Sequence, residues 1–298
     1  MTLRLATRRS PLARHQAETV RGRLGDHGVD SVLVEVLTRG DRHSDRPLVD
    51  FAGQGAFAVE VQEAVLEGRA DVAVHSAKDL PGRTPAGLRL AAVPERRDAA
   101  DALVGRSLAG LAPGATVATG SPRRRALLLE RRPDLSVVGL RGNMATRLAA
   151  LSRGVDAIVA AAAALERLGL QDEIRERLDP AWFIPQVGQG ALALECREDD
   201  EETGRALARI DDRAAHAAVR AERAFLVELG AGCTIPAGAH ATGDEESLRI
   251  AGVMVGLDGG RSVRATLAGA DPESLGLVLA RRLRDDLGGA ALPGWGTA

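Results

Sequence analysis

Arg69-Ala70-Asp71-Val72-Ala73-Val74-His75-Ser76-Ala77-Lys78-Asp79-Leu80-Pro81 reads as a short buried strand, Val72 to Val74, that runs into a polar turn. Pro81 stops the turn, because it can extend neither a ladder nor a helix. Open α/β folds place their ligands at such strand ends, so Ser76, Lys78 and Asp79 are candidates for chemistry. Lys78 is the only lysine among 39 Lys+Arg, Asn143 is the only asparagine, and there is no tyrosine. A lone lysine beside an aspartate at a strand end is then poor filler, although a solvated loop pair is the bland alternative.

Outward from that strand, helical and strand-like patterns alternate. Leu3 to Ala6 reads as a strand. Ser10-Pro11 starts a helix, with Ser as cap and Pro at the first helical position, that runs to about Leu24 and stops at Gly25. Val32 to Leu37 and Leu88 to Val93 read as strands, and Phe57 to Leu66 carries a helical period. Thr38 to Gly55 is a long polar loop. Pro94 to Asp101 reads as a crossing into a second region. There Thr116 to Thr119, Ser136 to Leu140 and Asp156 to Ala160 are strands, and Ser121-Pro122 opens a second helix. Strand-Ser-Pro-helix therefore occurs twice. Asp71-Val72-Ala73-Val74 is echoed by Asp156-Ala157-Ile158-Val159, and Gly53-Gln54-Gly55-Ala56 by Gly188-Gln189-Gly190-Ala191. This predicts two similar α/β lobes with largely parallel sheets. Ala191 to Cys196 alternates as a strand that could return to the first lobe. From Asp211 the pattern changes to a helix over Ala214 to Leu229, a hairpin across Asp258-Gly259-Gly260 and a last helix from Asp271-Pro272 to about Leu287. That is a small α+β unit.

Composition removes several classes of function. The chain has 298 residues, 45% of them apolar, enough for real cores. Aromatics are 2% and the formal net charge is -2, which supports neither stacking platforms for single strands nor a general polyanion surface. The two cysteines, Cys196 and Cys233, form no Cys-x-x-Cys, and the histidines are scattered, so neither a disulfide scaffold nor a metal site is expected. No secretory signal or membrane span is read, and a soluble cytoplasmic protein is the default. No Walker motif or Gly-x-Gly-x-x-Gly follows a strand, so a nucleotide is not indicated.

The cations cluster instead. Arg8 and Arg9 precede the first Ser-Pro helix, and Arg123, Arg124 and Arg125 fill the first turn of the second. A helix N-terminus disfavours each such charge by roughly 0.3–1 kcal/mol unless an anion reverses the sign. With the cap hydroxyl and free N–H groups, Arg123 and Arg124 read as a facing anion-holding pair, and Arg9 and Arg125 as solvated. Arg141-Gly142-Asn143 and Arg147 add cations after another strand, which suits a ligand with many carboxylates. Asp79 among them can stabilise a cationic intermediate or shuttle a proton. Cys233, flanked by Gly230 and Gly232, is equally readable as a reactive or a structural thiol, and Cys196 is assigned to the core.

The motifs Ala6-Thr7-Arg8-Arg9-Ser10-Pro11-Leu12-Ala13, Thr38-Arg39-Gly40-Asp41, Val74 to Pro81, Ser121-Pro122-Arg123-Arg124, Leu140-Arg141-Gly142-Asn143, Val187-Gly188-Gln189-Gly190-Ala191 and Gly232-Cys233-Thr234-Ile235-Pro236 occur in order. Together they make the chain resemble the porphobilinogen deaminase (hydroxymethylbilane synthase) family. The resemblance implies two lobes like those of periplasmic binding proteins plus a small α+β C-terminal domain. The expected divisions are residues 1–93 with 191–208, residues 97–184, and residues 213–298. It implies a dipyrromethane cofactor joined by a thioether to Cys233, and condensation of four porphobilinogen molecules with release of ammonia and final hydrolysis to hydroxymethylbilane. Asp79 would be the catalytic carboxylate that helps the amine leave and stabilises positive pyrrole nitrogens. Lys78, Ser121, Arg123 and Arg124 would hold the cofactor. Arg8, Ser10, Arg141, Arg147 and Arg167 would hold substrate, with Gln189 by the hinge, Phe57 near the cleft, and Asp45 to Gly53 as a mobile cover. A monomer is implied. Gln54, Pro122 and Ala231 depart from the family's usual Lys, Leu and Gly without removing any of these groups. Two other classes share some features: a non-catalytic solute-binding protein for a polycarboxylate, and a pyridoxal-phosphate enzyme using Lys78.

Overall fold

The computed structural model describes residues 2–42, 57–230, 235–244 and 246–295. In chain order its elements are β1 (Thr2–Arg8), α1 (Pro11–Asp26), β2 (Asp30–Val36), α2 (Arg39–Arg42), α3 (Val59–Leu66), β3 (Val72–Ser76), β4 (Leu88–Ala92), β5 (Asp101–Val104), β6 (Thr116–Ala118), α4 (Pro122–Arg131), β7 (Ser136–Val138), α5 (Met144–Leu148), β8 (Ala157–Ala161), α6 (Ala162–Arg167), β9 (Ile174–Leu178), β10 (Leu192–Arg197), α7 (Glu201–Leu207), α8 (Arg213–Glu228), β11 (Ala237–Gly243), β12 (Leu248–Val255), β13 (Ser262–Gly269) and α9 (Pro272–Arg281).

Two five-stranded sheets have matching orders, β2-β1-β3-β10-β4 and β7-β6-β8-β5-β9. In each, the first three strands are parallel. The fourth strand is antiparallel to both its neighbours. The expectation of mostly parallel sheets therefore holds for only half of each ladder. The reason lies in the crossings. The chain leaves the first sheet after β4 and enters the second through β5, then returns from β9 through β10. Each arriving strand starts at the C-terminal edge of the parallel set, Leu192 opposite Ser76 and Asp101 opposite Ala161, so it must run backwards. Both crossings therefore converge on the strand edge where ligands bind in such folds.

The internal echo has a structural counterpart. The Asp71 carboxylate accepts from Arg4 N at 2.9 Å, and the Asp156 carboxylate accepts from Thr116 N at 2.9 Å. Each aspartate thus locks the start of its strand to the strand that precedes its lobe's Ser-Pro helix. The α1 and α4 helices start alike, with Ser10 accepting from Ala13 N and Ser121 from Arg124 N, and proline at the first position. Helix α1 does not stop at Gly25 as expected. It runs to Asp26, and the left-handed residue is Gly28 (φ 70). Gly53 to Ala56, one half of the second echo, lies outside the described residues, as does the expected cover from Asp45 to Gly53.

A third sheet, β11-β12-β13, is antiparallel and packs with α8 and α9 around Phe225, Ile250, Met254 and Leu279. Strand β12 also leans on the second lobe, where Val253 and Val255 join the core of Leu127, Leu128 and Phe183. Strands β5, β9 and β11 have no counterpart in the sequence reading. β5 is four residues, β9 is an alternating polar edge, and β11 is built of small residues.

Candidate active site

The predicted turn forms at the end of β3. Residues Ala77–Asp79 make one 3-10 turn that ends at Leu80. The second crossing clamps it: Ala77 N donates to Ala191 O at 3.0 Å, and Gln186 Nε2 donates to Lys78 O at 3.2 Å. A Cβ on Gly188 (φ 72) would meet Lys78 N at 2.8 Å, and one on Gly190 (φ 86) would meet Arg97 O at 2.3 Å. Only glycine allows the segment around Gln189 to pass between the Ala77–Asp79 turn and the first crossing.

On the first-lobe side, the Asp79 carboxylate is partly exposed and lies 4.0 Å from Arg8 Nη1. Arg8 itself grips Asp41, Nη2 at 2.6 Å and Nε at 3.3 Å, and its guanidinium covers the Phe57 ring at 4.0 Å. Burial pushes the Asp41 carboxyl up, but hydrogen bonds and charge from Arg8, with help from Thr38, hold it below the ordinary value. Asp41 thus aims Arg8, and Arg8 borders Asp79. Ser10 lies nearby as the cap of α1, its hydroxyl accepting from Ala13 N at 3.3 Å.

Lys78 is partly buried, and loss of solvent, reinforced by the Arg124 charge, brings its pKa down to about 8, against the pull of Asp79 and Asp101. Arg147 of the second lobe lies close enough for its charge to act on Lys78. Burial, then Arg124, lowers its pKa to about 10, while Asp79 raises it. Its Nε donates to Gly142 O at 2.9 Å. Arg141 is partly buried beside it, and its charge lowers the Arg147 pKa further. Asn143 caps α5, accepting from Thr146 N at 3.0 Å. Arg167 Nη2 donates to Gly190 O at 2.7 Å, which puts it on the second crossing.

The pair Arg123 and Arg124 departs from the sequence reading. They do not present two open guanidiniums to an anion. Both converge on Asp101, the first residue of β5, with Arg123 Nη2 at 2.6 Å and Arg124 Nε at 2.8 Å. Arg123 is 1% exposed and also donates to Ile184 O at 2.7 Å. Gln189 completes the cluster: its Nε2 donates to Asp101 at 3.0 Å and to Ala99 O at 2.7 Å, and its Oε1 accepts from Arg124 Nη2 at 3.3 Å. Burial raises the Asp101 pKa, but Arg123 and Arg124 overcome it and bring it to about 2. The physical reason is solvation. Two buried guanidiniums need a carboxylate, and β5 supplies one. The cluster keeps one net positive charge behind Lys78 and Ser121.

Sequence reading also missed Glu222, fully buried on α8. It accepts from Arg96 at 2.6 and 3.1 Å, from Gly188 N at 2.6 Å and from Ala241 N at 2.8 Å. Burial raises its pKa, and Arg96, followed by His240, brings it to about 2. A signal was present. Glu222 falls between Ala218 and Phe225 on the apolar stripe of α8, where a carboxylate needs partners.

Cys233 lies outside the described residues. Its neighbours are placed: Ile235 lines a pocket with Lys78, Ser121, Arg123 and Arg223. Lys78 and Ser121 share that pocket, and the charges of Arg124 and Arg147 act on Lys78, a set of cations and a hydroxyl that suits an acidic group bearing several carboxylates.

The geometry defines a two-lobed α/β protein in which clustered cations surround the Asp79 turn and a third unit packs against the lobes. Residues 3–205 match the family model described as porphobilinogen deaminase, dipyromethane cofactor binding domain, and residues 216–285 match that of the porphobilinogen deaminase C-terminal domain. The chain belongs to the porphobilinogen deaminase family. It is 48% identical to a porphobilinogen deaminase of Roseiflexus sp. (strain RS-1), over 98% of this chain and 99% of that one. It is 46% identical to one from Syntrophotalea carbinolica, over 94% and 92%. It also has a fold likeness to a nutrient binding protein from Burkholderia cenocepacia bound to methionine, at 14% identity and TM-score 0.44, over 76% of this chain and 95% of that one. Family membership sets aside the reading as a non-catalytic solute-binding protein.

Proposed function

We propose that the cleft condenses four porphobilinogen molecules into hydroxymethylbilane, releasing ammonia at each joining, with Asp79 as its catalytic carboxylate and Cys233 as the attachment point of the cofactor. The observation that supports this most is the placement of Asp79. It sits at the end of β3 with Arg8 of its own lobe 4.0 Å away, and Arg147 of the other lobe senses its charge. A carboxyl so placed can hand a proton to a departing amine, and its carboxylate then faces the positive pyrrole nitrogen left behind.

The family's dipyrromethane, when bound, supplies the free pyrrole carbon from which the chain grows. The residues described do the rest. Lys78, Ser121, Arg141 and Arg147 hold carboxylates, and Arg8, kept in place by Asp41, holds an incoming one beside Asp79, with Ser10 and Phe57 bordering it. Arg123 and Arg124 act through the charge of their cluster with Asp101, and Arg167 and Gln189 position the second crossing. Three domains carry these parts, at residues 1–93 with 191–208, 97–184 and 213–298, a division the three sheets support. The chain is proposed to work as a monomer in the cytoplasm. Among the described residues, no helix is long and apolar enough to cross a membrane.

Intact mass tests the reading. The purified protein is expected to exceed its sequence mass by two linked pyrrole units, and Cys233→Ser is expected to lose that excess. A wild-type mass equal to the sequence mass would overturn it.

A further inference from the structure

The turn that carries Asp79 is finished by a side chain from the second crossing. Leu80 N donates to Ala77 O at 3.3 Å, which closes the single 3-10 turn. The next carbonyl in that pattern, Lys78 O, would take the N–H of residue 81. That residue is Pro81, which has none. Gln186 Nε2 fills the place, donating to Lys78 O at 3.2 Å from 108 residues further along the chain. Because a carbonyl only accepts, the Gln186 amide has to turn its nitrogen toward it.

Lys78 O belongs to the peptide whose nitrogen is that of Asp79, and a peptide is planar. A bond to this oxygen therefore fixes the plane on which the Asp79 side chain is mounted. Gln186 is itself held from several directions. Its own O accepts from Gln189 N at 3.0 Å, and the Gln189 amide is bound to Asp101 and Ala99 O. Gly188 N, two positions on, donates to the buried Glu222 at 2.6 Å. On the other side a Cβ on Gly238 of β11 would meet Pro185 O at 2.5 Å, so the residue before Gln186 is wedged against the third sheet. A group that must point one way during a reaction needs such a fixed support behind it.

We propose that Gln186 is a positioning residue for Asp79, whose amide holds the Lys78–Asp79 peptide so that the carboxylate keeps its direction beside Arg8. This rests on the role given to Asp79 above. Two other roles compete. Gln186 lines the same pocket as Lys78 and Ser121, so it could touch a ligand directly. It could also be no more than a tie between the crossing and the first lobe.

The test uses the full-length, cofactor-loaded protein and steady-state turnover of porphobilinogen. Gln186→Met keeps the length of the side chain but removes the donor. It is expected to lower kcat about tenfold, as misplacement of a reacting group does, with KM and the two-pyrrole mass as in wild type. In the Asp79→Asn protein the same change should alter kcat by less than about twofold, because the carboxylate it aims is gone. A further tenfold loss in the double variant overturns the proposal. So does an effect confined to KM, or loss of the two-pyrrole mass, either of which makes Gln186 a ligand contact. A lowered melting temperature with wild-type kcat makes it a structural tie and overturns the proposal as well. If Gln186→Met does not fold by circular dichroism, Gln186→Ala decides by the same measurements. If Asp79→Asn alone turns over at a near-wild-type rate, the reading of the cleft falls and takes this inference with it. A slow Asp79→Asn beside a wild-type rate for Gln186→Met removes this inference alone.

Discussion

Both lobes contain a strand followed by a capping serine and a proline with arginines beside them, yet the arginines end in opposite settings. In the first lobe Arg8 precedes the cap, closes β1 and remains at the cleft, stacked on Phe57 and beside Asp79. In the second lobe Arg123 and Arg124 follow the cap, lie in the first turn of α4 and are buried on Asp101. Side chains in a first helical turn lean back toward the N-terminus. At α4 that direction leads to β5. The same residue types therefore make a partly exposed cation beside Asp79 before the cap and a buried charge cluster after it.

The contrast can be broken by mutation. Asp79→Asn, at the cleft end, is expected to lower kcat about a hundred-fold or more while leaving the urea unfolding midpoint in place. A near-normal rate would remove the role given to Asp79. Asp101→Asn should do the reverse. Stranding two buried guanidiniums is expected to cost about 3–5 kcal/mol of stability in urea titration. Asp41→Asn, facing the half-open Arg8, should cost about 1 kcal/mol or less. Equal losses at Asp101 and Asp41 would erase the distinction between the two ends.

A pH titration sharpens it further, with the smallest effect. Lys78 is held to a pKa of about 8, first by burial and then by Arg124. In the cofactor-free protein its charge is present below that pH and lost above it. Porphobilinogen binding, followed by calorimetry, should therefore weaken as pH rises through about 8. Lys78→Arg should move that loss to higher pH, and an unmoved limb would show that another group sets it.

The lobes were legible because their signals are local. Ser10-Pro11 and Ser121-Pro122 mark helix starts, and Asp71 and Asp156 mark the strands that they lock. Lys78 and Asp79 stood out by composition and position. What stayed hidden depends on distant partners. Nothing around Asp101 shows that it will meet arginines 22 and 23 residues away. The antiparallel return of β10 was readable as a strand, but its direction follows from where the crossing enters the sheet. β11, a run of small residues, gains its place only by pairing with β12.

Glu222 has a mechanical consequence. One carboxylate holds Arg96 of the outgoing crossing, Gly188 of the returning one and Ala241 of the third sheet. Any rearrangement that preserves these bonds can swivel the lobes about that point but cannot slide them past it. Room for a lengthening product would then come from angular opening at the far side of the cleft.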